Sequence, residues 1–348
     1  MKKKLAVLFG GYSPEYTVSL QSAFAVLTHI DHSKYQVIPI GITKEGKWLR
    51  YSGKYKNIVD DLWFVDAKNC TEVFINPSRN HSVLIELYEG NVSVLDIDAV
   101  FPVLHGKNGE DGTVQGMFEL AGTPVIGCGT ESSAVCMDKY RAHMLASSVG
   151  IKTPVSVTVS NRTSAESLKK ETKHMKYPLF VKPLRAGSSF GISKVDEKAD
   201  LYKAVLFALQ HDDEAVIEEE IKGFEVGCAV LEGEELITGR VDEIELADGF
   251  FDFTEKYTLK SSKIHMPARI EAYTEKRIQN TAKRIYTILG CSGFARVDMF
   301  LTPDWDIVFH EVNTIPGFTS HSRYPNMLKG VGISFEQLVD TLIGSCIK

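Results

Sequence analysis

The sequence has no uninterrupted apolar run of about 18 residues, and so offers no membrane-spanning helix. It has no Cys-x-x-Cys pair. Cys70, Cys128, Cys136, Cys228, Cys291 and Cys346 are dispersed, which argues against a zinc site or a disulfide framework and suits reduced thiols in a cytoplasmic protein. Positive charge is not in excess: the net charge is −6, so no bulk attraction to nucleic acid or to an anionic membrane is implied. A polyanionic ligand must be held by local positive groups. Internal repeats and low-complexity segments are absent, and the opening MKKKLAVLFGG has too short an apolar run for a signal peptide and reads as a first β-strand. No Gly-x-Gly-x-x-Gly follows that strand, which argues against a dinucleotide site.

What is present is a soluble globular composition, 44% apolar and 24% charged, over 348 residues. That length predicts two or three domains.

The stretch Phe294–Pro316 predicts a β-hairpin, with Pro303-Asp304-Trp305-Asp306 as its turn. Side chains two apart share a face of a strand. Arg296 and Asp298 therefore point together on one arm, and Glu311 and Asn313 on the other. Ala295, Val297, Met299 and Leu301 take the opposite face, with Val308 and Val312. Converging carboxylates and a carboxamide suit Mg²⁺, and Arg296 beside them suits an anion that carries charge during reaction. A solvated strand face is the alternative. The loop that follows, Thr314–Ser320, is rich in Gly, Pro, Ser and Thr, and its backbone N–H groups suit an oxyanion.

Taken in order, Leu5–Phe9 predicts a buried parallel strand, followed by a helix over Val18–Ile30 and a strand over Gln36–Ile42. This is a doubly wound unit, with ligands at the carboxyl ends of its strands. Glu15 lies at such an end, where it suits an ammonium group or serves as a helix N-terminal acid. Residues 44–95 carry hairpin-like segments with no recognisable chemistry. The strand Ala99–Leu104 runs into the glycine-rich turn His105–Gly112, whose position favours function for His105. Ser132 or Ser133 caps a helix running to Ser148 that carries Lys139. Lys182 ends the strand Leu179–Lys182, and Arg185–Gly191 is a flexible glycine and hydroxyl loop that suits phosphates or forms a plain turn. It is not a Walker A motif, because the lysine precedes the glycines. Ala215–Ile221 is a glutamate-bearing strand, either a solvated edge or a ribose-binding rim. Asp248–Met266 is aromatic-rich and reads as a lid loop. Ile278, Ala282, Ile285 and Leu289 mark one face of an amphipathic helix, and a last helix spans about Ser334–Ile343.

The motifs LFGGYSPEYTVSL, LHGKNGEDGTVQG, MDK, FVKPLRAGSSFG, EKY, ARVDMF and HEVNTIPGFTSHSRYP, in this order, resemble the D-alanine–D-alanine ligase family of ATP-grasp enzymes over roughly residues 4–345. The resemblance implies an α/β, three-domain ATP-grasp fold: an N-terminal doubly wound parallel-sheet domain (1–130), a central subdomain (131–214) and a C-terminal subdomain (215–348), with ATP between two antiparallel sheets. It implies that Lys139 and Lys182 contact ATP phosphates and that Ser189 also binds ATP. Glu218, Glu219, Ile221 and Glu225 meet the adenine–ribose end. Asp298, Glu311 and Asn313 hold two Mg²⁺, with Mn²⁺ as a substitute. Glu15 binds the ammonium of the first D-amino acid and His105 lies near its carboxylate. Arg296 and the Gly317 N–H stabilise the tetrahedral oxyanion. Ser188, Glu15 and Tyr257 join the lid to the N-terminal domain, Lys256 approaches the γ-phosphate, and Ser322 contacts the second substrate's carboxylate. The implied product serves peptidoglycan precursor synthesis, and a homodimer is compatible with the family.

Within that family, lactate-using ligases carry a lid histidine where this chain has Tyr257, which disfavours D-lactate. Arg323 follows Ser320-His321-Ser322, where D-alanine-using relatives often carry leucine. With Asp242, and with Phe251 packing beside it, Arg323 points to D-serine as second substrate, as in vancomycin resistance. A housekeeping D-alanine–D-alanine ligase is the alternative. An ATP-grasp ligase for another carboxylate is disfavoured by Glu15, and a non-catalytic nucleotide-binding protein by the complete metal set.

Overall fold

The computed structural model describes residues 2–79, 83–187, 191–246 and 262–347. Every residue from Leu5 to Phe9 in the first strand, β1 (Lys3–Gly10), is buried, because both of its faces are covered. Leu5, Val7 and Phe9 pack with Leu20, Ala23 and Leu27 of α1 (Tyr16–His29), while Ala6 and Leu8 face a second cluster. After β2 (Tyr35–Ile42) the chain adds β3 (Trp48–Tyr51), a helical turn α2 (Lys56–Val59), and β4 (Cys70–Ile75), β5 (Val83–Tyr88) and β6 (Asn91–Asp96). It then returns to β7 (Ala99–Pro102) and α3 (Thr113–Ala121), whose Val114 and Phe118 cover the second face. The sheet order is β6-β5-β4-β3-β2-β1-β7. Its parallel part is β2-β1-β7, and the hairpin-like segments form its antiparallel extension. Leu8 pairs with Pro102, so the loops after β1 and β7 leave the sheet side by side, and they carry Glu15 and His105.

The expected single helix through Ser148 is two helices, α4 (Thr130–Met137) and α5 (Lys139–Ser148). Ser132 and Ser133 lie buried inside α4 and do not cap it. Asp138 breaks the run: its backbone is extended, and its side chain accepts the Arg141 N–H at 2.9 Å as the cap of α5.

The second sheet holds β8 (Ser156–Ser160), β9 (Leu179–Pro183), β10 (Ser193–Val195) and β11 (Glu214–Glu219), in the order β10-β9-β11-β8. Helices α6 (Ala165–Glu171) and α7 (Leu201–Ala208) cover one face through Leu168, Leu201, Val205 and Ala208. The other face carries Phe180, Lys182 and Glu218. β11 hydrogen-bonds to both β8 and β9, so this sheet runs to Glu219 and the expected boundary at 214/215 falls inside the reach of one sheet.

The third sheet is β15-β14-β12-β16-β17, with β13 (Leu236–Thr238) paired to β12 (Phe224–Glu232). β14 spans Asp242–Leu246, β15 Ser262–His265, β16 Phe294–Leu301 and β17 Ile307–Asn313. Helix α8 (Ala272–Ile288) lies on one face, with Ile278, Ala282, Ile285 and the adjoining Leu289 buried as their spacing requires. The other face is apolar at Ala229, Leu231 and Phe294. There it packs against Phe101 of β7, Tyr324 of α9 (Arg323–Lys329) and Leu338 of α10 (Phe335–Cys346). Farther along, the same face turns polar and carries Glu225, Arg296 and Asp298. Ser334 caps α10 in a reciprocal box with Gln337. Among the described residues no helix is long and apolar enough to cross a membrane.

Candidate active site

The expected hairpin is β16 and β17. Arg296 stands opposite Asn313 and Asp298 opposite Glu311, so the four polar residues share one face. The turn is closed by the Trp305 N–H on Thr302 O at 2.9 Å, with Trp305 in the left-handed region (φ 62°). One part of the pattern differs. The register shifts beyond Asp298, because a bulge at His310 inserts one residue. Phe309, and not Val308, therefore joins Val312 against the core, and Val308 pairs with Phe300 on the other face.

Asp298 is buried and fully engaged. Arg296 donates from Nε to both of its oxygens at 2.9 and 3.1 Å and from Nη2 to Oδ2 at 2.8 Å, and Asn313 Nδ2 donates to Oδ2 at 2.9 Å. Burial alone would raise the Asp298 carboxyl, but Arg296 and Arg323 outweigh it and hold it below the ordinary range. Two carboxylates and a carboxamide on one face fit a hard divalent cation in chemistry, Glu311 and Asp298 supplying charge and Asn313 its amide oxygen. Among the described residues no group of three or more His, Cys, Asp or Glu side chains is placed to hold a metal ion, here or elsewhere.

Arg323, the first residue of α9, reaches across β12 at Gly227. Its Nε and Nη2 bind Asp242 at 2.7 and 2.8 Å, its Nη1 binds Glu225 at 3.0 Å, and Nη2 lies 3.4 Å from Asp298. Gly227 pairs with Asp242 on one side and Asp298 on the other, so the guanidinium sits over the strand between them. A Cβ at 227 would strike Arg323 Nη2, which explains a glycine in mid-strand. The Gly227 N–H also donates to Asp242 at 3.0 Å. Glu225, expected at the nucleotide end, thus shares a network with the second-substrate candidates. Ser322 accepts the Thr319 N–H at 3.0 Å, and a Cβ on Gly317 would come 3.0 Å from its Oγ, so Ser322 lies against the expected oxyanion loop.

On the second sheet, Lys182 and Glu218 form a buried pair at 2.7 Å. Burial would raise the Glu218 carboxyl, but Lys182 outweighs it and the carboxyl is brought down to about 2. Its Oε1 has no hydrogen-bond partner among the described residues, and His143 Nδ1, equally unpartnered there, lies 3.8 Å away. His143 Nε2 donates to His310 O at 2.7 Å, which leaves Nδ1 as an acceptor. Lys139 donates to Ala186 O at 2.7 Å, at the start of the 185–191 loop. Glu219 Oε1 accepts the Lys176 N–H at 2.9 Å, and Ile221 lies in the link between the second and third sheets.

The Lys182–Glu218 pair gives a test of stability. A carboxyl held at about 2, against an ordinary 4.5, stabilises the fold fully above about 4.5, and that contribution is lost as pH falls toward 2. Lys182→Met should cost about 3–5 kcal/mol at neutral pH. It should also reverse the local trend, since burial without Lys182 favours the protonated acid. Urea midpoints between pH 3 and 6 check this, and a variant that keeps the wild-type acid slope would contradict it.

Glu15 is buried, and a Cβ on Gly106 would strike its carboxylate, so Gly106 (φ +72°) is required beside it. A Cβ on Gly187 would come 3.1 Å from the same carboxylate, which places Gly187 next to Glu15. His105 is buried. Its Nδ1 donates to Ile315 O at 2.9 Å, and its Nε2 lies 3.0 Å from Ser22 Oγ. Burial lowers the His105 imidazole below its ordinary value, so the ring is neutral. Ser188, Ser189, Phe251, Lys256 and Tyr257 lie outside the described residues.

Sequence reasoning did not single out Gly227, His143, Ser22 or Glu110. The first had a signal, an isolated glycine in a strand. Ser22 is a polar residue on the buried side of α1. His143 had none, because its partner is the carbonyl of a bulged residue. Glu110 lay within a noted loop, but its contact is remote: it accepts the Ile315 N–H at 3.0 Å.

Family models for the D-ala D-ala ligase N-terminus and C-terminus match residues 4–128 and 145–344. The chain is 44% identical to a D-alanine–D-alanine ligase from Caldicellulosiruptor bescii, over 100% of this chain and 96% of that protein. It is 43% identical to the vancomycin C-type resistance protein VanC1 of Enterococcus gallinarum, over 98% and 97%. Among solved structures, the VanG D-Ala:D-Ser ligase from Enterococcus faecalis superposes with a TM-score of 0.93 at 60% identity, covering 99% of each chain. The converging hairpin, the buried Lys182–Glu218 pair and these matches lead to one conclusion: the chain belongs to the D-alanine–D-alanine ligase family of ATP-grasp enzymes, which includes vancomycin-resistance ligases of cell-wall synthesis.

Proposed function

We propose that the protein joins D-alanine to a second D-amino acid, D-serine by preference, through a D-alanyl phosphate. Ligases of this family use ATP and a divalent metal. Lys139 and Lys182 hold the phosphates of ATP. A ligand donor placed between Glu218 Oε1 and His143 Nδ1 would satisfy both buried acceptors, which supports the adenine–ribose end there. Asp298, Glu311 and Asn313 would hold two Mg²⁺, which when bound neutralise charge on the phosphoryl oxygens.

Glu15 binds the ammonium of D-alanine, and neutral His105 lies near its carboxylate. The carboxylate oxygen attacks the γ-phosphorus, the bond to ADP breaks and an acyl phosphate forms. The second substrate's neutral amine then attacks the acyl carbon. Arg296 spends Nε and Nη2 on Asp298, which leaves Nη1 to meet the oxyanion beside the Gly317 N–H. The C–N bond forms, phosphate leaves, and the amine proton is lost. Ser188 and Tyr257 close the site against water, with Lys256 on the γ-phosphate.

The observation that carries the D-serine reading is the Arg323 network. An arginine held by Asp242 and Glu225 beside Ser322 retains one Nη1 hydrogen for a hydroxyl. The Enterococcus D-Ala:D-Ser ligase similarity supports it; the Caldicellulosiruptor relative favours D-alanine as second substrate. Phosphate release tests the reaction itself. ATP consumption should require D-alanine, and release with unrelated carboxylates alone, or none with D-alanine, would overturn the assignment.

A further inference from the structure

The segment that presents the Gly317 N–H is held on both sides by the N-terminal domain. Before it, Glu110 Oε1 accepts the Ile315 N–H at 3.0 Å while His105 Nδ1 donates to Ile315 O at 2.9 Å, so both backbone polar groups of Ile315 are held. After it, the Phe318 N–H donates to Ser22 Oγ at 3.2 Å, and that hydroxyl lies 3.0 Å from His105 Nε2. Glu110 Oε2 is anchored in turn by the Gly106 N–H at 2.8 Å, at the glycine against which Glu15 packs. A glutamate 205 residues away in the chain thereby ties the ammonium end of the site to the loop after the metal residues.

We propose that Glu110 is a positioning residue for condensation, holding Gly317 where the oxyanion forms. This rests on the ligase reading above. Burial and the Glu15 carboxylate push the carboxyl up, while the Gly106 and Ile315 N–H groups and then Arg296 on β16 pull it down, so the two N–H bonds favour the ionised form that accepts at both oxygens. Glu15 and Arg296 face it from other elements, and His105 from its own loop. A residue needed only to fill this junction would not require two acceptor oxygens at fixed reach. Glutamine is the matched probe, because its carboxamide can accept from only one of the two N–H groups and sets a donor against the other.

The experiment is the ratio of ATP consumed to dipeptide formed by the full-length enzyme with Mg²⁺, D-alanine and D-serine. Wild type should consume one ATP per dipeptide. Glu110→Gln should lower dipeptide formation on the order of ten- to a hundredfold, with KM for ATP unchanged and the ratio above one, as acyl phosphate is lost to water. Glu110→Asp, which keeps both acceptors, should fall between. Ser22→Ala, which loosens the other side of the loop, should raise the ratio too and serves if Glu110→Gln does not fold. A ratio that stays at one in the folded variants, with both rates falling together or unchanged, would overturn the proposal. A wild type that consumes no ATP with D-alanine would overturn the ligase reading, and this inference with it.

Discussion

Glu311→Gln is expected to reduce turnover by about a hundredfold or more without unfolding the protein. The proposed metal site contributes several kcal/mol of charge stabilisation to phosphoryl transfer, and about 2.7 kcal/mol is already a factor of a hundred. Glutamine keeps the shape of the side chain but removes its charge. The fold should tolerate this, because Glu311 stands directly opposite Asp298 and its charge raises the Asp298 carboxyl against the arginines that lower it. Removing one of two facing carboxylates relieves repulsion. Thermal midpoints without metal should therefore be unchanged or slightly raised, while kcat collapses at every Mg²⁺ concentration. Near-normal turnover at saturating Mg²⁺ would remove Glu311 from the metal site.

Arg323→Leu is expected to do two things at once. Asp242 is fully buried and its oxygens are bound by Arg323 and by the Gly227 N–H, so the lone substitution strands a buried carboxylate at about 3–5 kcal/mol. Asp242→Asn alone leaves Arg323 with Glu225 and Asp298 and should cost less. The double variant should be more stable than the sum of the two, and the cycle isolates the pair. Selectivity should move with the network. A D-alanine methyl leaves a buried donor unsatisfied at roughly 1–3 kcal/mol, so wild type should favour D-serine on the order of ten- to a hundredfold in kcat/KM. The double variant should lose most of that preference. A folded double variant that still prefers D-serine undiminished would remove Arg323 as its source.

Much of the site was legible because it depends on period and order. The face shared by Arg296, Asp298, Glu311 and Asn313 follows from strand alternation, and the register confirms it. The bulge at His310 was not legible, because an inserted residue is decided by how β17 fits β16 and not by its own side chain. Val308 was misplaced for that reason. The break at Asp138 had a local cause, an acid free to cap α5, but a continuous helical pattern on either side concealed it. The pairing of β11 with the second sheet is a matter of partners across 30 or more residues, so a boundary between Glu214 and Ala215 falls inside a strand of that sheet. The Glu110–Ile315 and Arg323–Asp242 contacts are equally non-local; chemistry suggested the second, through the need of an arginine for an acceptor.

The most direct test of the account is the dipeptide made by wild-type enzyme from ATP, Mg²⁺, D-alanine and an equimolar amount of D-serine. The account predicts mainly D-alanyl-D-serine. A product that is mainly D-alanyl-D-alanine would contradict it.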